Sequence, residues 1–168
     1  MSKIIILRGN SGSGKSTVAK TLQQKFGSGT LLISQDDVRR KMLLAFHGLD
    51  WGATALLKNL VTFGSKNHNI TILEGVLFSH DCNELFAQII ESFGSQIFAY
   101  YFDIPFEETL KRHKQRQING SHNFDENKMK EWWHEKDFIK KINETILDKD
   151  MTLDVIISNI LKDINCTY

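Results

Sequence analysis

Residues 9–17 read Gly-Asn-Ser-Gly-Ser-Gly-Lys-Ser-Thr, directly after the apolar run Ile4–Leu7 and at the head of a segment with helical period, Lys15–Phe26. No other stretch restricts the fold so tightly. Gly9, Gly14, Lys15 and Ser16 satisfy the pattern G-x-x-x-x-G-K-[ST] in full, a pattern that forms where a strand passes through a tight loop into a helix. Glycines let such a loop curl until several N–H groups point inward, and the helix amino end adds positive potential. The expectation is a cradle for the phosphates of ATP, built from Gly9, Asn10, Ser11, Gly12, Ser13, Gly14, Lys15, Ser16 and Thr17. Lys15 should reach the β- and γ-phosphates, and the Ser16 hydroxyl should ligate Mg2+.

The remainder of the chain alternates in the same sense. Short, almost continuously apolar runs at Ile4–Leu7, Leu31–Ile33, Ile70–Leu73, Ile97–Phe102 and Thr145–Leu147 read as strands covered on both faces. Between them, helical period predicts helices over Lys15–Phe26, Val38–Phe46, Thr54–Phe63, Asp81–Phe93, Pro105–Arg116, Glu126–Phe138 and Thr152–Leu161. This β-α alternation implies a parallel sheet between two helical layers, in one domain spanning residues 1–168. Ligands of such sheets collect beyond the carboxyl ends of the strands, so Gly9–Thr17, Gln35–Asp37, Glu74–Gly75 and Asp103 carry most of the interest.

Composition removes several classes. Of 168 residues, 41% are hydrophobic and 24% charged, a globular balance, and the net charge of +1 supplies no overall basic field for a long nucleic acid. No run approaches a membrane span, and the first residues lack the apolar core of a signal peptide. Cys82 and Cys166 lie far apart without metal-ligand spacing, as expected of two thiols in a reducing compartment. A cytoplasmic location follows as the expectation, with no membrane partner.

The stretch Ser34-Gln-Asp-Asp-Val-Arg-Arg40 follows the second apolar run. Asp36 stands where an acceptor hydroxyl could meet a γ-phosphate and is the candidate base. Arg39, three residues on, is the candidate acceptor contact, and Arg40 is expected at the surface. The competing reading is a helix start, a duty that suits Asp37. Glu74 closes the third apolar run and is a candidate support for the metal or the acceptor. Asp103 closes the fourth, but it also precedes Pro105, Glu107 and Glu108, which is helix-start chemistry.

Taken with the phosphate loop, "QDDVRR" resembles the 5′-hydroxyl polynucleotide kinases, in which the matching aspartate is the base and the arginine a substrate contact. "ISQD" is similar to the uridine kinases, although Val38-Arg39-Arg40 replaces their usual aromatic pair. "FDIPFEETLKRHKQR", residues 102–116, again resembles the polynucleotide kinases and matches their lid arginines at Arg112 and Arg116. Chloramphenicol phosphotransferases and zeta-type toxins share the plan more distantly. The resemblance spans residues 3–117. It implies a three-layer α/β/α P-loop kinase with a five-stranded parallel sheet in the order 2-3-1-4-5, and a small lid over about residues 112–136.

Helical geometry bears separately on the lid. Phe106 and Leu110 share one face, and Arg112 lies about 200° from Leu110 at about 100° per residue, so Arg112 and Arg116 should point away from the side packed on the sheet. A loop around Gly120 would then swing them over the triphosphate, where guanidinium groups bridge phosphate oxygens. Trp51 is placed to stack on an acceptor or to fill the core. One ring of Trp132 and Trp133 should pack inward, and His47, His113, His122 and His134 show no metal spacing. The expected activity is γ-phosphoryl transfer from ATP to a hydroxyl of a small acceptor, a nucleoside such as uridine. A polynucleotide 5′-hydroxyl is the first alternative, and a nucleotide-binding switch without metabolic chemistry is the second.

Overall fold

A computed structural model of the chain describes residues 1–45, 52–118 and 126–165. Five strands form one sheet: β1 (Lys3–Gly9), β2 (Thr30–Ser34), β3 (Ile70–Gly75), β4 (Ile97–Phe102) and β5 (Glu144–Leu147). Every pairing is parallel and the order is β2-β3-β1-β4-β5, as the sequence resemblance implied. The helices are α1 (Lys15–Phe26), α2 (Gln35–Asp37) running into a π-helical turn (Val38–Met42), α3 (Ala53–Asn67), α4 (Asn83–Phe93), α5 (Phe106–Ile118), α6 (Glu126–Glu131) and α7 (Leu153–Asn165).

The period-two geometry of β1 explains why its run is apolar throughout. Ile4 and Ile6 face α3 and α4, where they meet Leu57, Val61, Leu85, Phe86 and Ile89. Ile5 and Leu7 face the opposite layer, where Val18, Ala19 and Leu22 of α1 join Ile156, Ile157 and Ile160 of α7. All four β1 residues are fully buried. On the second face Tyr100 Oη donates to Asp163 Oδ2 at 2.8 Å, tying β4 to α7. Burial pushes this phenol well above its ordinary pKa, so it remains the donor.

Two helices depart from the periodicity. The helix expected over Val38–Phe46 begins three residues earlier, because Ser34 Oγ accepts from Asp37 N–H and caps the turn. Asp37 therefore lies inside the first turn and pairs with Lys41 at 2.9 Å rather than capping. The helix then widens into the π turn, closed by Leu43 N–H on Val38 O, and ends at Met42. The helix expected over Glu126–Phe138 stops at Glu131. Beyond it, His134 and Asp137 are drawn into bonds with Asn10 and Arg8, which a continued helix could not make. Trp133 packs edge-on to Phe106 with centroids 5.1 Å apart, while Trp132 is exposed, so one ring of that pair does turn inward. Trp51, His47, Gly120 and His122 lie outside the described residues.

The contact of α3 with β3 contains an unsatisfied group. Thr71 is fully buried and its Oγ1 has no hydrogen-bond partner among the described residues. A Cβ built on Gly64 would lie 2.4 Å from that oxygen, so α3 approaches β3 closely because residue 64 has no side chain. Thr71→Val keeps the shape and removes the stranded hydroxyl, and should raise stability by about 1 kcal/mol in urea denaturation. Gly64→Ala should lower it by about 1–3 kcal/mol through overpacking.

Candidate functional site

The phosphate loop, the end of β3, the turn after β2 and helix α5 meet at the carboxyl edge of the sheet. Gly9 ends β1 with φ 138°, and a Cβ at that position would come within 2.7 Å of Phe102 O on β4. Only glycine lets the loop leave the sheet so close to its neighbour. Gly12, at φ 82°, sits against Thr109 of α5, where a Cβ would meet Thr109 O at 3.2 Å. Helix α1 then starts at Lys15.

Lys15 is buried, and its Nζ donates to Asn10 O at 2.8 Å and to Ser13 Oγ at 3.3 Å. The ammonium thus lies across the mouth of its own loop, and the two loop oxygens it bonds are neutral groups that phosphate oxygens can replace. Lys15→Ala removes this charge-assisted contact without touching the sheet. Calorimetry should show a large loss of MgATP affinity while the melting temperature without nucleotide barely moves. An unchanged affinity would refute the assignment.

Glu74 closes β3 and is buried. Its Oε2 accepts from Ser16 Oγ at 3.1 Å and its Oε1 from Ser34 Oγ at 2.6 Å. One buried carboxylate therefore joins the phosphate loop to the residue that caps α2. Asp103, the other acid considered for the metal, is half-buried and uses its backbone N–H to bond Leu147 O. Among the described residues no group of three His, Cys, Asp or Glu side chains forms a metal cage. The donor set present is one carboxylate beside one hydroxyl. That suits Mg2+, a hard cation that keeps several waters and takes further oxygens from phosphates.

Asp36 and Asp37 occupy the first turn after Ser34. Asp36 is largely solvent-facing, with 70% of its side chain exposed, and Arg40 Nε lies 3.4 Å from its Oδ1. Arg40 was expected to be plain surface; instead it is two-thirds covered and is the arginine that meets Asp36. Arg39 is half-buried, with its carbonyl accepting from Ala45 N–H. Gln35 lies over Gly75 and accepts from Leu77 N–H at 3.1 Å, which anchors the turn to the segment after β3.

Arg112 departs from the helical-wheel expectation in a useful direction. Among the described side chains of α5 the most buried is Thr109, not Leu110, because the small Thr109 side chain bonds Phe106 O within its own helix and lets α5 settle on Gly12. The face turned inward is therefore the Thr109–Arg112 face. Arg112 Nη1 donates to Ser13 O at 3.1 Å while its Nε pairs with Glu108 at 3.0 Å. Arg116 follows one turn later in α5, and its side chain lies outside the described residues.

Two features were not visible in the sequence. Asn10 was assigned to the phosphates, but its side chain accepts from His134 N–H at 3.1 Å and donates to His134 O at 2.7 Å, leaving its backbone for that duty. Arg8, which lies between the expected strand Ile4–Leu7 and the phosphate loop, is fully buried in ion pairs with Asp137 at 2.8 Å and Glu144 at 2.9 Å. A charged residue directly after the apolar run Ile4–Leu7, and still within the central strand, was the available signal.

A family profile described as "AAA domain" matches residues 4–134. Among solved structures, a gluconokinase from Sinorhizobium meliloti 1021 superposes with TM-score 0.67 at 14% identity, covering 97% of this chain and 91% of the other. The Mycobacterium tuberculosis APS kinase CysC, solved with AMPPNP and APS, gives TM-score 0.66 at 17% identity and covers 96% of both chains. Shikimate kinase from Acinetobacter baumannii gives 0.57 at 16% identity, covering 100% of this chain and 97% of the other. These likenesses fix the fold. A search of curated protein sequences found no match.

Proposed function

The chain belongs to the AAA domain family of P-loop NTPases and has the P-loop kinase fold, and from that premise we propose that it transfers the γ-phosphoryl group of ATP to a hydroxyl of a small acceptor, a nucleoside being the preferred class. The observation that carries the reading is the Ser16–Glu74–Ser34 bridge, in which the buried Glu74 carboxylate ties the phosphate loop to the turn bearing Asp36. A switch that only binds and releases nucleotide has no need of the Asp36 and Arg39 pair, whereas a kinase needs a base and a contact for its acceptor. The structural neighbours named above are kinases of small molecules, which supports the same reading.

In this mechanism the acceptor lies between the phosphate loop and Asp36. Its hydroxyl proton passes to the Asp36 carboxylate as its oxygen bonds to the γ-phosphorus, and the bond from that phosphorus to the bridging oxygen breaks, releasing ADP. Lys15 and Arg112 neutralise charge on the transferred group. Ser16 and Glu74 would hold Mg2+, which when bound neutralises the phosphate oxygens. Arg39 positions the acceptor, and Arg116 closes with Arg112 over the triphosphate. Among the described residues no helix is long and apolar enough to cross a membrane.

The direct test incubates the protein and MgATP with a metabolite mixture and follows products by mass spectrometry. A product heavier than an input hydroxyl compound by one phosphoryl group, absent without ATP, is expected. ATP hydrolysis that no acceptor changes would overturn the reading in favour of a switch.

A further inference from the structure

We propose that Phe78, His80 and His134 form a shelf for a flat ring on the acceptor, so that the site selects ring-bearing acceptors such as nucleosides over open-chain polyols. The word acceptor rests on the kinase reading; the shelf itself rests on geometry. Phe78 follows Glu74 by four residues, beyond the carboxyl end of β3. Its ring lies 4.2 Å from that of His134, centroid to centroid. His80 stands 6.3 Å from Phe78 and 6.2 Å from His134, with its plane tilted by only 27° and 28° from theirs. The His80 ring is held by Asp81, whose Oδ1 is 2.9 Å from Nε2.

These rings sit on locked backbone yet face solvent. Asn10 grips both the N–H and the carbonyl of His134. Asp137 accepts from both the N–H and the hydroxyl of Ser79, between the other two rings. His80 and His134 are nevertheless exposed, and Phe78 is half-buried. A group of rings fixed in place without being buried is what a preorganised binding surface requires.

The shelf is also tied by hydrogen bonds to both sides of the proposed acceptor position. Lys15 Nζ, which meets the transferred phosphate in the proposed mechanism, is bonded to the carbonyl of Asn10, and the side chain of Asn10 holds His134. From the acceptor side, Gln35 adjoins Asp36 and bonds Leu77 N–H, the residue before Phe78. A hydroxyl caught between Lys15 and Asp36 therefore belongs to a molecule whose body extends toward these rings. Stacking on an aromatic surface discriminates by π-face rather than by base identity, so a preference for rings rather than for one base is expected.

The experiment uses the full chain saturated with Mg2+ and a non-hydrolysable ATP analogue, so that added nucleosides cannot enter the ATP site. Uridine, thymidine and guanosine are titrated against ribitol and gluconate while the histidine imidazole resonances are followed by NMR. Nucleosides should shift the His80 and His134 signals and the polyols should not. His134→Ala should weaken uridine binding about tenfold or more, His134→Phe should restore it, and MgATP affinity should stay within twofold in both. The shelf is refuted if no nucleoside moves those signals, if polyols bind as well, or if His134→Ala binds uridine like the parent. The two readings separate cleanly. Nucleosides that stack but are never phosphorylated with MgATP would leave the shelf standing and remove the kinase. Nucleosides phosphorylated at an unchanged KM in His134→Ala would do the reverse.

Discussion

Asp36→Asn should lower turnover with the acceptor by roughly 10²–10⁴, the usual worth of a positioned general base, while MgATP affinity and thermal stability change little. Asparagine keeps the size of the side chain and one acceptor oxygen but cannot take a proton. The stability expectation follows from exposure: the Asp36 side chain is 70% solvent-exposed and its ion pair with Arg40 spans 3.4 Å. A surface i,i+4 pair of that kind contributes only about 0.3–0.5 kcal/mol. Asp37→Asn is the matched control. Its carboxylate pairs with Lys41 and its backbone, not its side chain, serves the Ser34 cap, so turnover should hold and stability should fall by less than about 1 kcal/mol. Steady-state kinetics on the two variants discriminate the acids. An inactive Asp37→Asn beside an active Asp36→Asn would move the base by one residue. Two active variants would move it to Glu74, the carboxylate that closes β3.

The sheet was legible because parallel strands buried on both faces write themselves as unbroken apolar runs, and the phosphate loop because its chemistry demands fixed residue types at fixed spacing. Ser16 and Glu74 could each be named from sequence, since one lies in the motif and the other ends a strand. What sequence could not supply was the partner of each polar group. Helical period placed Leu110 inward on α5, yet Thr109 is the buried residue, because closeness to Gly12 decided the face rather than hydrophobicity. The return from α6 was read as helix because its composition suits one. Its actual path is set by long-range bonds from Asn10 and Arg8 to residues more than a hundred positions away, which no local pattern encodes.

Arg8 should prove the largest single contributor to stability outside the apolar core. Arg8→Met should destabilise the protein by about 3–5 kcal/mol, because it leaves two carboxylates in the interior without their cation. The guanidinium is fully buried, and all three of its nitrogens are used. Nε and Nη2 donate to Leu77 O at 3.0 and 2.7 Å, Nη1 donates to Asp137 O and to Glu144, and Nη2 also meets Asp137 Oδ2. Phe86 and Tyr101 flank it at 5.4 and 5.6 Å. The cluster also holds strained backbone. Leu77 at φ 47° and Lys136 at φ 50° are left-handed without being glycine, and each lies in or beside the bonds that Arg8 makes. Lysine cannot replace the planar fork, so Arg8→Lys should recover only part of the loss. The double variant Arg8→Met with Glu144→Met should be less destabilised than Arg8→Met alone, since it removes a stranded charge together with its partner. Because Arg8 immediately precedes Gly9, weakened MgATP binding should accompany the loss of stability. Chemical denaturation of the three variants decides the matter: equal losses in the single and double methionine variants would show that Arg8 acts through packing against Phe86 and Tyr101 rather than through its charge.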